Sequence, residues 1–184
     1  MGLDMYLKKK TYVKNWDHMN PEQKHTINVF RGGKARTDIK PERISCIIED
    51  VAYWRKANAI HKWFVDNVQK GEDDCGNYYV SKEQLQKLVD LCKQVVGTLE
   101  TVPGDVNTGT TYYPDGTVVQ HTKEGDVVAQ KELAHNLLPT QSGFFFGSTD
   151  YDEYYMQDIQ STIDQIEPLL SEDGDGHFEY HSSW

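Results

Sequence analysis

Leu3, Met5 and Leu7 alternate with Asp4 and Tyr6 at the start of the chain, a two-residue period that predicts a strand with one buried face. Residues 8–40 are polar and broken by Asn20-Pro21 and Gly32-Gly33, with a short strand expected over Ile27 to Phe30. Pro41 stands where a helix favours proline in its first turn, and a helical stretch is expected from there to about Gln69. Its apolar pattern changes side along the way. Ile44, Ile47, Ile48 and Val51 mark one face, whereas Trp54, Ala57, Ile60, Phe64, Val65 and Val68 lie on another. Either the helix breaks near Tyr53, or one helix packs on different partners at its two ends. From Ser81 to about Glu100 the helical signal is cleanest. Ser81 and Gln84 form a capping box, and Leu85, Leu88, Val89, Cys92, Val95, Val96 and Leu99 recur at core-helix spacing.

The character changes over residues 101–130. Pro103-Gly104 and Asn107 to Thr111 predict a loop, followed by short strands around two turns, Pro114-Asp115-Gly116 and Glu124-Gly125. The expectation is a β-hairpin excursion near 108–130, within a surface β insertion over 102–130. A short helix is expected near Ala129 to Leu138, then a buried strand at the Gly-Phe-Phe-Phe-Gly run of residues 143–147. Asp150 and Glu153 predict the capped start of a helix to about Ser171, with Tyr155, Ile159, Ile163, Ile166 and Leu170 inward and Pro168 kinking or shortening its end. The last residues predict a strand with Phe178 and Tyr180 on one face. The sum is an α+β fold: one domain over 1–184, with about three main helices packed on an antiparallel sheet.

Charge narrows the set of partners. The net charge of −10 is uneven: residues 1–40 carry nine Lys or Arg against four acids, while residues 150–184 carry ten acids and no Lys or Arg. Such an acidic segment argues against nucleic acid as a partner. Its two readings are a solvated helix face and a docking face for a basic host protein. No membrane or export signal is visible, so a cytoplasmic location in a bacterial host cell is expected. Three cysteines without paired spacing imply a reducing compartment, with Cys46 and Cys92 as small hydrophobes. Cys75 stands beside Glu72, Asp73 and Asp74, which oppose thiolate formation and argue against a nucleophile.

Two segments carry candidate chemistry. On the expected helix, Arg55, Asn58 and His61 project from adjacent turns. They combine a forked donor, a donor–acceptor amide and an imidazole, as an anion or nucleotide pocket requires, with Trp54 and Trp63 as stacking surface. The plainer account has Arg55 pairing with a carboxylate and His61 filling or capping. In the second segment, Ser148, Thr149, Asp150 and Tyr151 follow a glycine-bounded turn at a helix start. There Asp150, Asp152 and Glu153 already satisfy the helix dipole and would repel phosphate. This turn therefore either binds polar or cationic groups or serves only as a cap. The stretch from Ser171 to His181 lacks the spacing of a calcium loop, and no zinc pattern, Walker loop, nucleophile elbow or dinucleotide fingerprint occurs. No cofactor is expected.

The stretches MGLDMYL, EDVAYWRKANAIHKWFVDNVQ, LLPTQSGFFFGSTDYDEYY and YHSSW together resemble a family of small uncharacterised proteins of bacteriophages, prophages and bacteria. The resemblance covers most of the chain. It is most specific at WRKANAIH and SGFFFGSTDYDE and weakest over the 102–130 insertion. It implies a setting rather than a mechanism: a phage accessory protein that counters host defence by binding a host factor or sequestering a nucleotide signal. The leading expectation is a non-enzymatic binder of a small polar or nucleotide ligand through the residues above. One alternative is an inhibitor that docks on a basic protein through its acidic face. Another is a small hydrolase or transferase using Asp150 or Asp152 with His61. The sequence leaves a homo-oligomer open.

Overall fold

The computed structural model describes residues 2–143 and 145–184. Its strands are β1 (Asp4–Tyr12), β2 (Phe30–Arg31), β3 (Lys34–Ala35), β4 (Cys46–Arg55), β5 (Asn77–Val80), β6 (Thr101–Tyr112), β7 (Val118–Val128) and β8 (His177–Ser183). Its helices are α1 (Asn58–Asn67), α2 (Lys82–Thr98), α3 (Lys131–Leu137) and α4 (Glu153–Leu170). The class is α+β, with antiparallel sheets throughout.

The alternation at the N-terminus produces the central strand. Leu3, Met5 and Leu7 are fully buried, while β1 pairs antiparallel with β4 on one side and β8 on the other; β5 completes the order β4-β1-β8-β5. Trp54, Val80, Phe178 and Tyr180 join them in one apolar cluster with α1, α2 and α4. The opposite face carries Asp4, Tyr6, Tyr53 and His181, none of them buried. Phe64 of α1 lies flat on Tyr180, ring centroids 3.9 Å apart.

α2 forms as its local signals require. Ser81 Oγ accepts from Gln84 N at 3.2 Å, and Gln84 Oε1 accepts from Ser81 N at 3.0 Å. Leu85, Leu88, Val89, Cys92 and Val95 are buried, whereas Val96 falls outside the stripe and is exposed. Burial pushes the Cys92 thiol up to about 12, leaving an inert core residue.

Several expectations are corrected. The long helix from Pro41 does not exist. A single 3-10 turn at Pro41–Arg43 leads into β4, and only Asn58–Asn67 is helical. The isoleucines fit a helical spacing but are β-branched, and pairing with β1 decides the matter. Ala52 and Trp54 are buried between exposed Tyr53 and Arg55, a two-residue period hidden inside the apparent three-to-four. The first half of β4, from Cys46 to Asp50, is exposed, so Cys46 is no core residue. The strand expected over Ile27 to Phe30 shrinks to Phe30–Arg31, paired with Lys34–Ala35 across Gly32-Gly33, both at positive φ.

Residues 101–128 form one long hairpin rather than a loop and a meander. Pro114-Asp115-Gly116 is its turn, but Gly125 sits inside β7, opposite Gly104. A Cβ at Gly125 would stand 2.8 Å from Val106 and Glu153, so this glycine admits α4 close to the strand instead of turning the chain. Val106 and Val128 anchor the base of the hairpin in the interior, while Tyr112, Tyr113 and Val118 near its tip are exposed.

The Gly-Phe-Phe-Phe-Gly run is not a strand. Phe145 and Phe146 lie in a turn, Phe146 N donates to Gly143 O at 3.2 Å, and Gly147 has φ +88°. Phe144 lies outside the described residues. The cap of α4 is Asp152 rather than Asp150, and Pro168 is accommodated within its last turn. Of the expected inner stripe, Tyr155, Ile159, Ile163 and Ile166 are buried; at the end Leu169 is buried and Leu170 only partly. Among the described residues no helix is long and apolar enough to cross a membrane.

Candidate functional site

At the end of β4 the backbone makes a sharp change of direction. Lys56 adopts φ 61°, its N–H donating to Leu3 O at 2.8 Å, and Asn58 N returns to Lys56 O at 2.8 Å. A non-glycine residue in the left-handed region is held there by its surroundings. Gly147 packs on it, for a Cβ at Gly147 would lie 3.2 Å from Lys56 Cβ. This junction leaves Arg55 and Lys56 exposed and turns Asn58 inward.

Asn58 clamps the loop that follows α3. Its Nδ2 donates to Phe146 O at 3.0 Å and Ser148 O at 2.7 Å, and its Oδ1 accepts from Gln141 N at 3.2 Å. Leu3 N adds a bond to Phe145 O at 3.1 Å. With four per cent of its surface exposed, Asn58 works as a staple that satisfies three backbone groups of a loop lacking its own ladder.

Between this loop, the β4–α1 junction, the start of α4 and the bulged stretch of β6 lies a cleft of about 750 Å³. Arg55 and Lys56 contribute basic groups, Asp150, Asp152 and Asp158 carboxylates, and Asn107, Thr108 and Thr110 an amide and hydroxyls. Phe145, Tyr154 and Tyr155 add aromatic surface. The register shift in β6 falls at Asn107 and Gly109, where a bulge re-aims side chains.

The acids of the cleft differ in how well they are satisfied. Ser148 Oγ donates to Asp150 Oδ2 at 2.7 Å and accepts from Asp150 N at 3.1 Å. Asp152 Oδ1 accepts from Tyr154 N at 2.9 Å and Tyr155 N at 3.2 Å, the N-cap bonds of α4. Its Oδ2 is buried and has no hydrogen-bond partner among the described residues. Burial raises Asp152 against the lowering effect of those N–H donors, with the charges of Asp150 and Glu153 also raising it. Asp158, six residues on along α4, is pushed up to about 7 by burial and then by the charge of Asp152.

The first candidate segment is split by the fold. Arg55 sits on β4, its Nη1 3.8 Å from Asp4 Oδ1, while Asp4 also accepts from Tyr53 Oη. Asn58 and His61 sit on α1. Trp54 is a core residue whose Nε1 donates to Thr162 Oγ1 at 2.9 Å, and Trp63 is likewise buried, so neither offers a stacking face. His61 does not line the cleft. It is fully buried, with Nδ1 2.7 Å from Tyr180 Oη and Nε2 3.0 Å from Asp73 Oδ1. Gln141 Nε2 holds the other Asp73 oxygen at 2.8 Å, and the Phe146 and Trp184 rings pack on the imidazole with centroids 5.1 and 5.6 Å away and planes steeply inclined to it. Desolvation lowers the His61 pKa against the opposing charge of Asp73, and every polar atom of the ring is matched.

From the second segment, Ser148 and Asp150 line the cleft. Thr149 only offers its carbonyl to Thr140 Oγ1. Tyr151 turns away, its hydroxyl 3.1 Å from His135 Nδ1 and accepting from Thr140 N. The cleft thus unites Arg55, Asn58, Ser148 and Asp150 and omits Trp54, His61, Thr149 and Tyr151. Lys56, Asp158 and the β6 residues were not singled out from the sequence. The only sequence signal for Asp158 is an acid one position before Ile159 on the inward side of α4. No family model matches the chain, and no curated protein and no solved structure shows a significant match.

Proposed function

We propose that this chain is a non-catalytic binding protein that holds a small polar ligand in the cleft between the β4–α1 junction, the loop after α3, the start of α4 and β6. One observation carries the reading: polar groups from four separate parts of the chain converge on a cleft of about 750 Å³, a volume typical of small-molecule sites. A nucleotide polyphosphate fits less well, because three carboxylates outnumber the two basic groups there. The resemblance to phage and prophage proteins supports a role in withholding such a ligand inside a bacterial host cell.

The two alternatives have less support. An enzyme pairing His61 with Asp150 or Asp152 is disfavoured, since His61 is sealed behind Tyr180 and Asp73. Docking through the acidic C-terminal face is weakened because Glu153, Glu167, Glu172 and Glu179 already pair with Lys123, Lys93, Lys9 and Lys10.

Thermal-shift measurements against amino acids, amines, sugars, phosphates and nucleotides test the reading. A compound at a hundred times its Kd stabilises by about 2.7 kcal/mol, or about 5–10 °C for a chain of this size. Thr108→Trp, an exposed cleft-wall substitution, is expected to remove that shift while leaving the unliganded midpoint within about 2 °C. Shifts that persist unchanged in Thr108→Trp, or no shift with any compound, would overturn it.

A further inference from the structure

The most deeply buried carboxylate of the cleft has one oxygen without a partner among the described residues. Asp152 is two per cent exposed, and its Oδ2 meets no donor among the described residues. Buried carboxylate oxygens are ordinarily paired, and an orphan of this kind marks a missing partner. Asp158 stands nearby on the same helix with no hydrogen bond to its carboxylate among the described residues, and Asp150 on the adjoining loop adds a third negative group. Of the basic groups in the cleft, Arg55 leans toward Asp4 at 3.8 Å, and Lys56 forms no ion pair with a carboxylate among the described residues.

We infer that the acidic end of the cleft receives the ammonium or guanidinium head of a small organic cation, held between Asp152 and Asp158. This rests on the binding reading above and names the ligand class for the same site. The head group supplies the N–H donors that Asp152 Oδ2 lacks, in charge-assisted bonds. The tyrosines of the first turn of α4 suit such a head as well, because aromatic faces attract cations. Lys123 Nζ already lies 4.9 Å from the Tyr154 ring centroid. A metal ion is the weaker occupant, since among the described residues no three carboxylate, imidazole or thiolate ligands come together as a metal site requires.

The raised Asp158 and Asp152 agree with this geometry. Burial, with the neighbouring carboxylates adding to it, raises both groups, and a bound cation would supply the counter-charge that offsets it. The other charged and titratable groups lining the cleft are Asp152 at the N-cap of α4, Tyr154 and Tyr155 from its first turn, Asp150 from the loop, and Arg55 and Lys56 from the junction; the β6 residues that line it are neutral. Cation binding therefore drives protons off Asp158 near neutral pH, and affinity falls as pH drops below about 7.

Calorimetric titration of the full chain with 1,4-diaminobutane and 4-aminobutylguanidine tests this, with 1,4-butanediol as a neutral isostere and inorganic phosphate and AMP as anions. The cations are expected to bind at pH 8, with proton release at pH 7 seen as buffer-dependent heats. Affinity is expected to fall at least tenfold at pH 5.5 and at least tenfold in Asp158→Asn. Asp152→Asn, which keeps the helix cap, is expected to do the same. Cation binding that is equal in the wild type and both variants would overturn the inference. Binding of the diol, phosphate or AMP without the cations would also overturn it while leaving the cleft as a ligand site. Silence from every probe here, with shifts in the broader thermal screen that Thr108→Trp removes, likewise sinks the cation class alone. Silence in both experiments sinks both readings.

Discussion

Two polar clusters lie on either side of the loop that Asn58 clamps, and they are built in opposite ways. Around His61, each ring nitrogen has a partner, Asp73 is held by a second donor, and aromatic rings seal the group from water. Around Asp152 and Asp158, one buried oxygen is orphaned, a second carboxylate is raised toward neutrality, and open volume adjoins both. A satisfied buried network rigidifies the fold. An unsatisfied one stores a demand that a ligand can meet. The same residue types thus serve structure in one place and recognition in the other, and hydrogen-bond satisfaction tells them apart.

The strongest way to break the comparison is His61→Ala. It leaves Tyr180 and Asp73 without their shared partner and opens a cavity, so a loss of about 3–5 kcal/mol is expected in denaturant unfolding. A loss under about 1 kcal/mol would show that the network is not structural. The pH sign follows from the lowered His61 pKa. Its contribution is present above about pH 6.5 and is lost as pH falls through the lower folded value. The wild type should therefore weaken in mild acid, and the dependence from this group should vanish in His61→Ala.

Asp158→Asn should act in the other direction. A pKa raised to about 7 means that the group's contribution to stability is complete below about pH 4 and is lost as pH rises through 7. Removing the charge should stabilise the unliganded protein at pH 8.5 and have little effect at pH 4. The displacement corresponds to about 4 kcal/mol, reduced by residual solvent screening to about 1–3 kcal/mol. Matched thermal melts at the two pH values give the answer, and a destabilised variant at pH 8.5 would contradict the idea of unmet charge.

The smallest effect belongs to a purely local device. Ser81→Ala removes half of the α2 capping box and should cost about 1 kcal/mol in equilibrium unfolding, with ligand binding untouched. A change in ligand affinity in this variant would mean that the cleft and the helical layer are coupled.

Those three sites also rank what can be read from a linear chain. The Ser81 cap, the α2 stripe apart from Val96, and the alternation of Leu3, Met5 and Leu7 are interactions between near neighbours, and they appear as expected. Ile44, Ile47, Ile48 and Val51 misled because their spacing imitates a helix face, whereas Ile47 and Ile48 stand in a strand that pairs with β1. Gly125 misled because a glycine at a close approach looks the same in sequence as a glycine in a turn. Arg55, Asn58, Ser148 and Asp150 were legible as polar residues in two unusual segments. Their meeting was not, since it depends on Asn58 reaching about ninety residues along the chain to Ser148 O.

By itself, the sequence determined the α+β class, the capped core helix and the strands whose alternation faces a core. It did so because burial and capping act over a few residues at a fixed period. Tertiary structure alone decided that residues 46–55 are a strand, that His61 is an internal tie, and that Asp152 and Asp158 share a cleft. Those outcomes turn on which distant group supplies, or fails to supply, the partner for a buried polar atom, and no local pattern encodes that.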